Sequence, residues 1–190
     1  MSKLVGFTGV KGSGKDTAGQ FLVEVGFTRV GFADKLKEAV ANLFDIDLEN
    51  VVKWKYREPS NPQTGVVHLD FVEIHIDVGG DVEHTYTWRE FLQRFGTEMA
   101  RNTFGQDFWV ELALPTFPRV NTVFTDVRFD NEAGRILKFG GKVFEIIRPG
   151  YESDGHASEE PIDRDLIDGQ IINDGSLNTL KSRVLMDCLR

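Results

Sequence analysis

Gly9-Val10-Lys11-Gly12-Ser13-Gly14-Lys15-Asp16-Thr17 stands between two runs of different period. Before it, Leu4-Val5-Gly6-Phe7 is a short apolar run of the kind a buried strand carries. After it, Ala18 to Val25 places Phe21, Leu22 and Val25 on one face of a helix. Strand, glycine loop, helix is the setting that a phosphate-binding loop requires. The glycines allow a tight turn, so successive N–H groups of residues 11–15 face one anion, and the helix N-terminus adds its positive end. Gly12, Ser13 and Gly14 fall where phosphates would be wrapped, and Lys15 where a loop lysine reaches the β- and γ-phosphates. One position departs from the usual pattern. The residue after the lysine is ordinarily Ser or Thr, whose hydroxyl binds Mg²⁺; here it is Asp16, and the hydroxyl follows at Thr17. A carboxylate is also a hard oxygen ligand, so Asp16 can hold Mg²⁺ directly or through water, or it can position a lysine or a substrate. The structural alternative is a glycine-rich turn capped by Asp16 with no nucleotide.

The rest of the composition narrows the partners. A chain of 190 residues, 41% hydrophobic, is long enough for one α/β domain with a sizeable core and a small insertion. Its 22 basic and 30 acidic residues leave a net charge of −8, which argues against nucleic acid as a bulk partner. A small anion in a local basic pocket remains compatible. The single cysteine, Cys188, excludes an internal disulfide and fits a reducing compartment. No charged-then-apolar leader precedes the first strand and no apolar run approaches membrane-spanning length, so a soluble intracellular protein with no membrane partner is expected.

Along the chain, strands and helices alternate, which predicts a mainly parallel sheet with helices on both faces. Gly26 suits a helix C-terminus, and Phe27 to Phe32 reads as a strand. Leu36, Ala39, Val40, Leu43 and Phe44 form a helical stripe. At that helix's start, Lys37 can meet an anionic substrate or be a solvated lysine. Residues 45 to 65 are irregular, with a basic, aromatic run at Lys53-Trp54-Lys55-Tyr56-Arg57. Val66 to Val78, Gly79-Gly80 and Asp81 to Tyr86 read as a β-hairpin, and the spacing of His68, His75 and His84 matches no metal site. Thr87-Trp88-Arg89-Glu90 is a capping box opening a helix to about Arg101. Phe91, Leu92, Phe95 and Met99 are expected to be its apolar face, with Arg89, Gln93 and Thr97 on another. An arginine and a glutamine on one stripe can hold a phosphate and a base edge, or simply face solvent. Gly105 to Leu114 reads as a buried helix. Val120 to Thr125 reads as a central strand ending in Asp126-Val127-Arg128, then Asp130 and Glu132. Charged residues where a buried strand stops signal a site in this architecture. Arg128 would face the loop phosphates, and Asp126 could orient Mg²⁺ or accept from a sugar; an Asp–Arg pair capping the next helix is the alternative. Lys142 to Ile147 is a further strand, residues 151 to 165 a polar cover or plain loop, and Gln170 to Ile172 a last strand before the helix from Leu177.

Taken in order, these segments resemble the phage deoxynucleoside monophosphate kinases. The resemblance is carried by the loop at 9–17, Arg89 and Gln93 before Gly96-Thr97, Phe108-Trp109-Val110, and Asp126-Val127-Arg128 with Asp130 and Glu132. It continues through Ile147-Arg148-Pro149-Gly150, His156-Ala157-Ser158-Glu159 and Asn173-Asp174-Gly175-Ser176-Leu177. Dephospho-coenzyme A kinases end similarly, but Gly-Lys-Asp-Thr with Arg-Pro-Gly favours the phage enzymes. Residues 45–86 carry no match. The resemblance implies a single three-layer P-loop kinase domain over 1–190, with a β-hairpin insertion at 64–86 on the substrate side and a lid at 148–165. It implies transfer of the ATP γ-phosphoryl group to deoxynucleoside monophosphates for deoxynucleotide biosynthesis, in an infected bacterial cytoplasm, by a fold that is often dimeric, so a homodimer is compatible with it. ATP and Mg²⁺ are the implied cofactors, with Asp16 and Thr17 at the metal. Gly12, Ser13, Gly14, Lys15, Asn173 and Gly175 are implied for ATP, and Lys15, Arg128 and Arg148 for transition-state charge. Lys11, Lys37, Arg89, Gln93, Trp109, Asp126, Asp130 and Glu132 are left for the acceptor. The competing readings are a kinase for another small acceptor, such as dephospho-coenzyme A, and a non-kinase P-loop ATPase.

Overall fold

The computed structural model describes residues 2–54, 71–75, 83–114, 118–151 and 161–190. In chain order the elements are β1 (Leu4–Thr8), α1 (Lys15–Val23), β2 (Thr28–Val30), α2 (Asp34–Leu43) and α3 (Leu48–Trp54). Then come β3 (Phe71–His75), β4 (Glu83–Thr87), α4 (Trp88–Arg94), a π-helix over Phe95–Arg101, α5 (Asn102–Phe104) and α6 (Phe108–Ala113). The last are β5 (Thr122–Phe124), α7 (Asp130–Lys138), β6 (Lys142–Ile147), a 3₁₀ turn over Arg164–Leu166, β7 (Gly169–Ile172) and α8 (Leu177–Leu189). They form two compact units, one of Met1–Asp34 with Trp109–Arg190 and one of Lys35–Phe108.

The first unit is built on a five-stranded sheet of order β2-β5-β1-β6-β7, parallel at every pairing. Strand side chains alternate between faces, and the two cores follow that alternation. Val5, Phe7, Val123, Phe144, Ile146 and Ile171 pack against Ala18, Phe21 and Leu22 of α1 and Leu180, Val184 and Cys188 of α8. Leu4, Phe124 and Val143 face the other way, onto Val110 of α6 and Ala133 and Ile136 of α7. The mainly parallel sheet with helices on both faces is thus present as expected. At Gly6, in the middle strand, an added Cβ would stand 2.7 Å from Ile136 Cδ1, so α7 lies directly on the backbone there. Two strands are shorter than their apolar runs, because Thr28–Val30 and Thr122–Phe124 are all that find parallel partners. Helix α1 starts at Lys15, not Ala18, and Val25 is exposed because the helix has ended at Val23.

In the second unit, β3 and β4 pair antiparallel, with Val72 opposite Tyr86 and His75 opposite Glu83. Thr87 then caps α4: its Oγ1 accepts from Glu90 N at 3.2 Å, and Glu90 Oε2 accepts from Thr87 N at 2.9 Å. The Thr87 hydroxyl also donates to Glu90 Oε2 at 2.9 Å, and the bonds to that carboxyl from the Thr87 backbone and then its hydroxyl hold it below its ordinary range. Val40, Ala41, Val51, Trp88, Phe91 and Leu92 form the core, with Phe44 edge-on to Trp88 and Phe91. Two sequence expectations give way here. Helix α3 lies in the stretch read as irregular, its Val51 fully buried where no long apolar period announced it. Met99, assigned to the apolar face, is 55% exposed, because the chain passes from α to π winding at Phe95.

Lys55, Tyr56, Arg57, His68, Gly79, Gly80, His156, Ser158 and Glu159 lie outside the described residues. So do most of the expected 64–86 insertion and half of the expected lid. Among the described residues no helix is long and apolar enough to cross a membrane.

Candidate active site

The middle strand β1 delivers the chain into the glycine loop, and α1 leaves it. Gly14 occupies the N-cap of α1 at φ 106°, where it offers no side chain to the helix's first N–H groups. Those donors are what an anion would satisfy. Within the loop Ser13 N donates to Val10 O at 3.1 Å, so that amide faces inward, not outward as the wrapping of residues 11–15 anticipates. Lys15 Nζ folds over the loop and donates to Gly9 O at 2.6 Å and Val10 O at 2.8 Å. The buried Ser13 Oγ and Thr125 Oγ1 have no hydrogen-bond partner among the described residues. Buried hydroxyls in that state are unusual, and both adjoin the segments assigned to nucleotide.

Other segments brace the loop. Asn173 follows β7, where its N donates to Ile147 O at 2.7 Å and its Nδ2 to Ser13 O at 2.8 Å. Arg183 of α8 holds the same turn, donating to Ile172 O and to Asp174 Oδ1 at 2.7 Å. Gly175 lies exposed in that turn. Arg148, just past β6, donates from NH1 to Gly12 O at 3.3 Å, and its guanidinium lies 4.5 Å from the ring centre of Tyr151. A Cβ on Gly12 would meet that ring at 2.7 Å. The sequence assigns Arg148 to transition-state charge and Asn173 to ATP; here both bond to the backbone of the glycine loop. Tyr151 and Arg183 carry no such assignment, since no local pattern ties either to residues so far away in the chain.

A carboxylate group organises the end of β5. Asp126 accepts from Phe32 N at 2.9 Å and Ala33 N at 3.1 Å, tying the residues after β2 to those after β5. Val127 N donates to Phe7 O at 3.3 Å, which ties the segment to β1. Glu132 is only 2% exposed, and its Oε2 accepts from Arg128 N at 2.7 Å and Phe129 N at 3.3 Å. Its carboxylate therefore caps α7 and holds the Arg128 backbone. Asp130 Oδ1 accepts from Asp163 N at 2.9 Å. The Arg128 side chain is exposed, as are Lys11 and Asp16, while Thr17 is half-buried and Trp109 buried. Lys37, Arg89 and Gln93 are half-buried in the other unit, on α2 and α4. The first unit thus brings together Gly12, Ser13, Gly14, Lys15, Asn173 and Arg148. Among the described residues no three His, Cys, Asp or Glu side chains form a metal cluster. A magnesium nucleotide needs none, because phosphates and water supply most of its oxygens, and one carboxylate and one hydroxyl suffice. Asp16 and Thr17 in the first turn of α1 fit that requirement.

Gly14 permits a test of the loop. Its φ is one that L side chains rarely adopt, and a Cβ would stand 2.6 Å from Asn173 Nδ2. Gly14→Ala is expected to destabilise the fold by about 1–3 kcal/mol and to raise KM for ATP by displacing Asn173. Thermal unfolding and steady-state kinetics with varied ATP measure both; an unchanged melting point and KM would mean the loop is not held this way.

Similarity to known proteins is consistent with this arrangement. The family model described as deoxynucleotide monophosphate kinase matches residues 47–184, a span that leaves the glycine loop outside. A mimivirus chain from Acanthamoeba polyphaga mimivirus, carrying the provisional name deoxynucleotide monophosphate kinase, is 33% identical over 82% of this chain and 80% of its own length. The deoxynucleotide monophosphate kinase of enterobacteria phage T4 is 29% identical over 96% of this chain and 97% of its own. That of Escherichia phage RB69 is 32% identical over 55% of this chain and 46% of its own. An unliganded sugar kinase from Janibacter sp. superposes on 99% of this chain and 96% of its own at TM-score 0.44 and 13% identity, too remote to argue from. With a matched span of 47–184 and a glycine loop at the end of its middle strand, the chain belongs to the deoxynucleotide monophosphate kinase family.

Proposed function

We propose that this protein transfers the γ-phosphoryl group of ATP to deoxynucleoside 5′-monophosphates, giving the diphosphates. The observation that carries the reading is the loop: an uncapped helix start, a lysine folded across it and an asparagine brace, within a chain of this family. Phosphoryl transfer requires in-line positioning and cancellation of charge, with little covalent work by the protein. Loop N–H groups within residues 11–15 other than that of Ser13, which bonds to Val10 O, wrap the ATP phosphates, and Lys15 leaves its loop carbonyls to bind phosphate oxygens. Bound Mg²⁺, held near Asp16 and Thr17, would neutralise charge on the triphosphate. Arg128 and Arg148 supply charge to the transferring group, the latter after releasing Gly12 O. Asn173 and Gly175 line the nucleotide base. Lys11, Lys37, Arg89 and Gln93 take the acceptor, and Asp126 and Asp130 hold the segments around Arg128 in place. Glu132 acts through Arg128 as a positioning residue. The acceptor is already an anionic phosphate oxygen, so no general base is required.

A coupled assay with ATP over the four deoxynucleoside monophosphates, with their ribose counterparts and dephospho-coenzyme A as controls, tests this. Turnover is expected with at least one deoxynucleoside monophosphate and not with dephospho-coenzyme A. ATP hydrolysis that is indifferent to every monophosphate would overturn the proposal.

A further inference from the structure

The π-helix Phe95–Arg101 continues directly from α4, and its winding changes which side chains share a face. An α-helix turns about 100° per residue; a π-helix, bonded i→i+5, turns roughly 82°. Counted from Arg89, an unbroken α-helix would carry Arg101 round by about 120°, onto the solvent side with Glu90 and Arg94. It would also turn Met99 toward Trp88, Phe91 and Leu92. With the π stretch in place, Arg101 returns nearly to the direction of Arg89. Arg89, Gln93, Thr97 and Arg101 then fall within roughly 40° of one another.

Burial records the same rotation independently. Met99 is 55% exposed, Ala100 4% and Arg101 7%, whereas α winding would have placed Met99 inside and Arg101 outside. Glu90, Arg94 and Glu98 stay on the exposed side, Arg94 and Glu98 paired at 3.5 Å. Hydrophobic burial does not select this phase, because it turns a methionine out and an arginine in. Continuous π winding is also rare, and π turns concentrate at functional sites.

We infer that the π-helix sets the register of the acceptor stripe and makes Arg101 its fourth member, an acceptor-binding residue. The inference rests on the acceptor role proposed above for Arg89 and Gln93. The stripe runs roughly 16 Å along the helix axis, long enough to follow a nucleoside monophosphate from end to end. It carries an arginine at each extremity, Arg101 buried and Arg89 half-buried, with an amide and a hydroxyl between. That donor set suits a phosphate at one end and the acceptor edge of a base at the other.

The test exploits the cysteine content. Cys188 is the only cysteine, and burial pushes its thiol up to about 12, so an introduced exposed thiol reports alone. Gln93→Cys and Met99→Cys are each labelled with a maleimide, with and without a saturating deoxynucleoside monophosphate that the assay above shows to be turned over. The monophosphate is expected to slow labelling at 93 by about 10-fold or more and to leave 99 unchanged. No protection at 93 overturns the acceptor assignment itself. Arg101, only 7% exposed, is out of reach of the label, so its role is read from the kinetics of Arg101→Gln and Arg101→Lys. KM for the monophosphate should rise about 10-fold or more in the first and less in the second, with KM for ATP unchanged. Protection at 93 with no rise in KM for the monophosphate in Arg101→Gln overturns the inference and leaves the acceptor assignment standing. Equal rises in both KM values would make Arg101 a structural residue only.

Discussion

Lys15→Ala is expected to lower kcat by at least about 10³-fold. The ammonium lies inside the loop, its donors 2.6 Å and 2.8 Å from the Gly9 and Val10 carbonyls. These carbonyls hold it in readiness, and a triphosphate offers it better acceptors with full negative charge. The developing charge between β- and γ-phosphates is then met by a cation already inside the loop, which exchanges its two carbonyl partners for phosphate oxygens. Removing it also deletes two hydrogen bonds within the loop, worth about 1–3 kcal/mol together. For a chain of 190 residues that shifts the melting point by only a few degrees, roughly 2–4 °C per kcal/mol. The signature is therefore a lost turnover with a retained fold, read by coupled assay and thermal unfolding on the same preparation. Turnover within a few-fold of the parent chain would discard the loop assignment.

Arg128→Ala is expected to lower kcat by about 10³-fold, with a smaller change in either KM. Two features single out this arginine. Its backbone is held twice over, by Glu132 Oε2 on its own N–H and by the neighbouring Val127 N bonded to Phe7 O of β1. Its side chain is exposed at the same end of the sheet from which the loop departs. A rigid backbone with a reaching guanidinium suits a cation that meets charge appearing only in the transition state. Arg128→Lys keeps the charge but loses the planar fork, so a partial recovery is expected. If KM for either substrate rises while kcat stays level, Arg128 binds the ground state instead.

The loop residues were readable from sequence because their chemistry is local. Gly12, Gly14, Lys15, Asp16 and Thr17 are placed by turn geometry and one helix start, both encoded within a few positions. The carboxylates after β5 were readable only as a cluster. Asp126 and Glu132 spend their oxygens on the N–H groups of Phe32, Ala33, Arg128 and Phe129, and which donors a carboxylate finds depends on neighbours brought in from other segments. Met99 failed for a different reason. A 3.6-residue period was applied to a stretch that winds as a π-helix, and the apolar pattern alone does not distinguish the two.

By itself the sequence determined the α/β alternation, the parallel sheet, the glycine loop after the first strand and the donors and cations that such a loop requires. These follow from side-chain period and backbone freedom, which each short segment carries with it. Tertiary structure alone decided that Asn173 braces Ser13, that Tyr151 with Arg148 covers Gly12, and that Arg101 is buried while Met99 is exposed. Those outcomes depend on contacts between distant segments and on the winding of one helix, where packing overrides a periodicity that local sequence cannot resolve.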